Sequence, residues 1–233
     1  MLLDILGTNK FMRDINVMNP NTQGIPDVFP PVRSYTVQDG MNYKFLPYPR
    51  QQRFTDRTAD YFINGVDGEP LKWGNLNSDI YVDPISLNMG VVQRQTMVML
   101  ASDEAAKGNI DKARALLDAA QEAFPAKNFP VDVYSVYVYT GSNSHVDVVD
   151  LYRNVYGEER ATQLWNDAFE HYRQEIAYLK RFNGDKATGV RSLLQADLQI
   201  LGLLSDMARL SLGNEELAAQ PEALLKQFGP YYN

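Results

Sequence analysis

The sequence predicts a mainly α protein, a tetratricopeptide-like antiparallel helical array preceded by a small N-terminal α/β segment with a short sheet. Three observations predict it. Apolar residues recur at helical spacing through most of the chain beyond residue 84. One stretch, Pro84 to Pro125, reads as two helices folded on each other. The early part instead carries short β-branched and aromatic runs broken by Asp-Gly and proline. The division that follows is 1–78, a small α/β segment with an ordered loop, and 79–233, the helical repeat-like domain.

Taken in order, residues 1–11 suit a short helix with Leu2, Leu3, Ile5 and Leu6 as its apolar face. Asp14 to Met18 alternates like a strand, and Asn19 to Pro31, with four prolines and a glycine, must be loop. Ser34–Val37 and Tyr43–Leu46 are strand-like, joined by the hairpin signal Asp39-Gly40. Pro47 and Pro49 end the sheet. Residues 50–60 are polar and without pattern, and are read as connection. Tyr61-Phe62-Ile63 then leads into the turn Asn64-Gly65-Val66-Asp67-Gly68, and Lys72-Trp73-Gly74-Asn75 forms a surface loop held down by Trp73.

The hairpin is argued residue by residue. Asp83 can cap orphan N–H groups, and Pro84 at the first helical position loses nothing. Gly108 can take the left-handed conformation that ends a helix near Lys107, and Asn109 restarts the chain. Ile110, Ala113, Leu117, Ala120 and Phe124 then share one helical face. Counting a 34-residue tetratricopeptide unit from Arg94 places Met97, Leu100, Ala101, Glu104, Gly108, Ala113, Leu117, Ala120 and Pro125 on its signature offsets. Met97 and Glu104 stand where that repeat usually has aromatic residues. The competing reading is an ordinary antiparallel helix pair.

Pro130 to Thr140 divides the evidence. Its valines and tyrosines favour a strand, whereas its place in an array favours a helix, and helix is the reading adopted. After a break at Gly141 to Ser144, helix runs to Phe182 with a jog near Gly157. There Ala161, Leu164, Ala168, Tyr172, Ile176 and Leu179 form one stripe. Gly184-Asp185 interrupts the chain. The next helix carries two stripes, Val190, Leu194, Leu198, Leu201, Leu204 and Ala208 on one and Leu193, Ile200, Leu203, Met207 and Leu210 on the other, which predicts packing on both sides. A last helix spans about Pro221 to Phe228.

Composition narrows function. With 233 residues and 45% apolar content the chain can bury a substantial core. A net charge of −7 and no basic run argue against a nucleic-acid surface. No cysteine is present, so disulfides and thiolate chemistry drop out. Met1 to Gly7 has an acid inside its apolar run and no basic leader, unlike a signal peptide. Arg191, Asp197, Asp206 and Arg209 mark Val190 to Leu212 as a buried helix rather than a membrane span. The expectation is a soluble chain.

Candidate chemistry is thin. Ser144-His145-Val146-Asp147 holds a nucleophile, a base and an acid, but a triad is assembled from separated segments, and a helix cap is the better reading. His171 and Glu175 are one turn apart and read as a solvated i,i+4 pair. Asn75, Asn77, Asp79 and Asp83 lack the glycine and closing glutamate of a calcium loop. No catalytic residue, metal site or cofactor is assigned. The aromatic residues Trp73, Tyr134, Tyr137, Tyr139, Tyr152 and Tyr156 could line a groove for a peptide or sugar, or pack in a core with hydroxyls at the rim. Binding candidates are Trp73, Asn75, Tyr134 and Tyr137.

Several segments carry a resemblance: Leu3 to Phe11, Gly40 to Pro47, Phe62-Ile63-Asn64 and, most specifically, Lys72-Trp73-Gly74-Asn75 and Ile80-Tyr81-Val82-Asp83. Weaker matches are Leu116-Leu117-Asp118, Pro125 and Phe129-Pro130, fading after about residue 140. Together they resemble the C-terminal region of large bacterial multipass membrane proteins catalogued as domain-of-unknown-function family 2723, whose membrane half looks like the protein O-mannosyltransferases. Arg13-Asp14-Ile15-Asn16-Val17 departs from that family's proline and Tyr-Phe pair, and the transmembrane helices with the acidic catalytic residue are absent. The resemblance implies a non-catalytic accessory domain on the periplasmic side of an envelope glycosyl-transfer protein. Its expected partner is a protein or peptide, with a glycan as the alternative. A membrane would be met only through an upstream region.

Overall fold

A computed structural model describes residues 36–46, 52–73, 79–141, 144–182 and 188–228. The helix, strand and loop expected over residues 1–31 and the break at Gly184-Asp185 lie outside the described residues. The chain forms two compact units, residues 1–71 and 72–233. The protein is mainly α with a small N-terminal α/β segment.

In the first unit, β1 (Thr36–Asp39) and β2 (Asn42–Phe45) pair antiparallel, with Thr36 opposite Phe45 and Asp39 opposite Asn42. Gly40 turns between them at φ +63°, the left-handed region that the Asp-Gly signal anticipates. Residues 50–60 are not simply connection, because α1 (Asp56–Asn64) begins among them. Its amphipathic pattern is a single turn's worth, Thr58, Ala59 and Phe62, too short to stand out from a polar run. Buried Thr58 explains the docking: its hydroxyl donates to the Gln38 carbonyl at 2.8 Å and accepts from the Gly40 N–H at 3.2 Å. Val37, Phe54, Ala59 and Phe62 form the small core.

The second unit opens with the hairpin. In α2 (Pro84–Ala106) the Asp83 carboxylate accepts from the Ile85 and Ser86 N–H groups at 3.0 and 3.1 Å. Gly108 ends the helix at φ +83°, and α3 (Ile110–Ala123) returns. Met97, Leu100, Ala101, Ala113, Leu117 and Ala120 are all buried at the seam, as a tetratricopeptide-like hairpin requires. Glu104, at an aromatic position of the repeat, is buried too. Its carboxylate accepts from Lys107 Nζ at 2.7 Å and Asn109 Nδ2 at 2.8 Å, clamping the turn. Burial opposes its ionisation, but the hydrogen bonds from Lys107 and Asn109 outweigh it and hold the carboxyl below its usual range.

Beyond α3 the array is interrupted. The helix adopted for Pro130 to Thr140 is limited to one turn, α4 (Val133–Val136), followed by β3 (Tyr137–Gly141) paired antiparallel with β4 (Ser144–Asp147). The β preference of these residues is realised because β4 supplies a partner strand. Val138 is buried and Tyr139 is exposed, the two-residue alternation of a strand.

Four helices then build the larger core: α5 (Val148–Tyr156), α6 (Glu158–Leu179), α7 (Thr188–Leu210) and α8 (Glu215–Phe228). A short 3-10 turn, Lys180–Phe182, follows α6. Gly157, at φ +97°, makes the predicted jog between α5 and α6. Trp165 is fully buried, stacks on Phe169 and donates Nε1–H to the Leu204 carbonyl of α7 at 2.8 Å. The first stripe of α7 is buried at Leu194, Leu198, Leu201, Leu204 and Ala208. The second is not covered along its length, since Leu193 and Leu210 are exposed. The last helix starts six residues earlier than expected, at Glu215 instead of Pro221, because Asn214 Oδ1 caps it through the Leu217 N–H at 3.0 Å. Pro221 lies inside it, buried.

A close approach ties α2 to the segment after α3. A Cβ built on Gly90 would stand 2.4 Å from Phe129 Cε1 and 3.3 Å from Phe124 Cδ1. Gly90→Ala should therefore destabilise the protein by about 1–3 kcal/mol through overpacking, although alanine is the better helix former by ~1 kcal/mol. Gly202→Ala in α7, where the new methyl meets nothing within 4 Å, should be neutral or stabilising. Urea denaturation of the two variants checks both signs.

Candidate functional site

The second unit holds a half-open, largely apolar cavity of about 320 Å³ where α2, α3, the 124–135 segment, α5 and α6 meet. Phe124 and Phe129 form its inner wall, edge to face at 5.2 Å. Val98, Leu117, Val148 and Leu164 supply further apolar surface, and Tyr134, Gln121, Gln163 and Asp167 supply polar groups. Two cations line it, Arg94 from α2 and Arg160 from α6.

Arg94 is the unusual member. Its side chain is 11% exposed. Nη2 reaches Asp132 Oδ1 at 3.5 Å, Nη1 reaches the Phe129 carbonyl at 3.5 Å, and Nε has no hydrogen-bond partner. Burial lowers the guanidinium pKa, opposed by the charge of Asp132. Burying a cation with long hydrogen bonds is costly.

The predicted binding residues divide around this cavity. Tyr134 lines it and is 55% exposed. Trp73 is half-buried and packs edge-on against Phe124 at 5.0 Å, behind the wall. Tyr137 lies elsewhere, stacked on the His145 ring at 4.4 Å. Asn75 lies outside the described residues, as does Asn77. Tyr152 and Tyr156 are on α5 with their hydroxyls engaged: Gln121 donates to Tyr152 at 2.7 Å, and Tyr156 donates to Asp118 at 2.6 Å. Burial and then Asp118 push the Tyr156 phenol well above its usual range. The cation Arg94 and the wall residue Phe129 are not among the residues the sequence marks for binding. One signal existed: Arg94 is the sole basic residue of α2.

The other candidates are occupied structurally. Asp147 caps α5 through the Asp150 N–H at 3.1 Å and accepts from Ser211 Oγ at 2.5 Å, while Ser144 and His145 are exposed. His171 and Glu175 are 3.4 Å apart. Asp79 pairs with Lys127 at 2.6 Å, and Asp83 is spent on its cap. Among the described residues no three metal-ligating side chains converge, and no described helix is long and apolar enough to cross a membrane.

Comparison of the chain with family models, with curated proteins and with solved structures returns no match.

A second buried polar group is short of partners. Asp197, on α7, is 6% exposed, and its Oδ2 has no hydrogen bond. Burial first, and the charge of Glu175 second, push its pKa from 3.8 up to about 7. The folded state thus holds this proton more tightly than the unfolded chain. The contribution of this group to stability is therefore most favourable below pH ~4, declines as pH rises towards ~7, and levels off above it. Asp197→Asn should raise Tm at pH 8 by a few degrees, since ~1 kcal/mol corresponds to about 2–4 °C at this size, and should change little at pH 4. Thermal melts of both proteins across that range give the answer.

Proposed function

We propose that this chain is a non-catalytic binding domain whose cavity between Arg94, Phe124, Phe129 and Tyr134 receives an apolar group of a protein or peptide partner. The cavity itself carries the reading. It is a concave apolar site with a few convergent polar groups, the type that binds ligands, and an exposed aromatic ring stands at its mouth. The other polar candidates are spent on caps and helix-surface pairs.

A tethered peptide array tests this. The wild type should retain peptides with apolar side chains. Leu164→Trp, which fills the cavity from a half-buried position, should weaken retention by about tenfold, or ~1.4 kcal/mol, with an unchanged circular dichroism spectrum. Full retention by Leu164→Trp would sink the proposal.

A glycan is the second reading, favoured by Tyr134 standing exposed beside Gln163 and Asp167, a ring to stack on with polar groups beside it. Glycan-array binding lost in Tyr134→Ala, with peptide retention absent, would select it.

We also propose, from the resemblance of Lys72-Trp73-Gly74-Asn75 and Ile80-Tyr81-Val82-Asp83, that the domain serves an envelope glycosyl-transfer protein on the periplasmic side. The supporting observation to seek is an upstream reading frame coding for about a dozen apolar segments of ~20 residues each. A frame without them removes this context and leaves the binding reading standing.

A further inference from the structure

We propose that the cavity takes a carboxylate carried on an apolar stem, with Arg94 receiving the head group. This deepens the binding reading and rests on it. A guanidinium offers five N–H donors in a planar fork suited to carboxylates. In Arg94 one of them, Nε–H, has no acceptor, and the contacts from the other nitrogens are 3.5 Å long. Charge-assisted bonds of this kind close to about 2.7–2.9 Å. This protein makes such bonds elsewhere: Arg173 to Glu170 is 2.6 Å and Arg209 to Glu222 is 2.8 Å. Arg94, by contrast, makes only long contacts although it lines the cavity with its side chain mostly buried.

Its counter-ion is not committed to it. Asp132 Oδ1 also accepts from Ser135 Oγ at 3.2 Å. A ligand carboxylate would meet a desolvated cation with donor capacity to spare, where an ionic hydrogen bond is worth more than in water. Arg160, exposed, adds a second positive charge, and Asp167, further along the same helix, also lines the cavity. The apolar stem would lie on Phe124, Phe129, Val98 and Leu117. At ~30 Å³ per water, the cavity has room for roughly ten non-hydrogen atoms, about the size of octanoate.

The test is calorimetric titration of the intact chain with octanoate, 1-octanol and octyltrimethylammonium. Saturable one-site binding of octanoate is expected, with the alcohol and the cation weaker by about tenfold or more. Arg94→Gln should bring octanoate down to the alcohol's affinity. Asp132→Asn, which removes the competing carboxylate, should strengthen octanoate several-fold and leave octanol unchanged. Arg160→Gln, at an exposed position where folding is not at stake, should weaken octanoate and flatten its salt dependence. Equal binding of the acid and the alcohol, or octanoate binding untouched by both arginine variants, overturns the assignment.

The same carboxylate could come from a free acid or from a glutamate beside an apolar residue in a partner. An acetylated, amidated Leu-Glu peptide run beside octanoate separates the two. Binding of either, lost in Arg94→Gln, supports the class and names its source. Binding of neither overturns it, even where the peptide array succeeds with uncharged apolar sequences, a result that would leave the binding reading intact.

Discussion

The second unit depends on how closely Phe129 approaches the backbone of α2. Only a glycine at position 90 leaves room for that ring, and the contact folds the chain after α3 back over α2. Trp73 packs on Phe124 and Phe124 on Phe129, so three rings in succession brace one helix. This packing also sets the cavity. With the two phenylalanines fixed as its wall, the segment that carries Asp132 and Tyr134 is held over Arg94, and α5 and α6 close the remaining sides. A hairpin alone would have left Arg94 on a surface in water, where a guanidinium is ordinary. Enclosure makes it a site.

Elsewhere the elements are joined by polar contacts set in apolar seams. Trp165 reaches a backbone carbonyl of α7, Arg114 Nη2 donates to the Val155 carbonyl at the end of α5 at 2.8 Å, and Tyr172 accepts from the Val133 N–H at 2.8 Å. Each satisfies a backbone group that its own helix or strand leaves open or shares, which is how buried main-chain polarity is met where helices end. Arg94 and Asp197 are the contrast. Both are buried and each has an atom without a partner, yet their consequences differ. Asp197 lies in the apolar core and can relieve its charge by taking a proton near neutral pH. Arg94 cannot lose its proton and lines an open cavity, so only an incoming acceptor can relieve it.

The site was legible in the sequence only in fragments. Tyr134 stands out in the sequence as a tyrosine, and Tyr137, three residues along, shares its face only if Pro130 to Thr140 is one helix. The strand at Tyr137–Gly141 turned it away, against His145. Trp73 stands out as a rare residue in a loop, but its ring lies behind the wall rather than in the cavity. In the sequence Arg94 is marked only as the first residue of a 34-residue repeat unit. Its isolation in α2 marked it as odd, but oddness becomes a binding hypothesis only when burial and bond lengths are known. Phe129 gave no signal, because nothing local shows that residue 90 needs to be glycine for it.

By itself the sequence determined what local chemistry can: the Asp83-Pro84 start of α2, the glycine turns at 40, 108 and 157, the apolar face of α3, and the mainly α class. Each rests on a cap, a backbone conformation or a periodicity written within a few residues. Tertiary structure decided the rest. It chose strand over helix at residues 137–141 by supplying β4 as a partner, docked α1 through one buried threonine, left the ends of the second α7 stripe exposed, and enclosed Arg94. Those outcomes depend on segments tens of residues apart arriving at the same place, and that long-range packing is the information no local pattern contains.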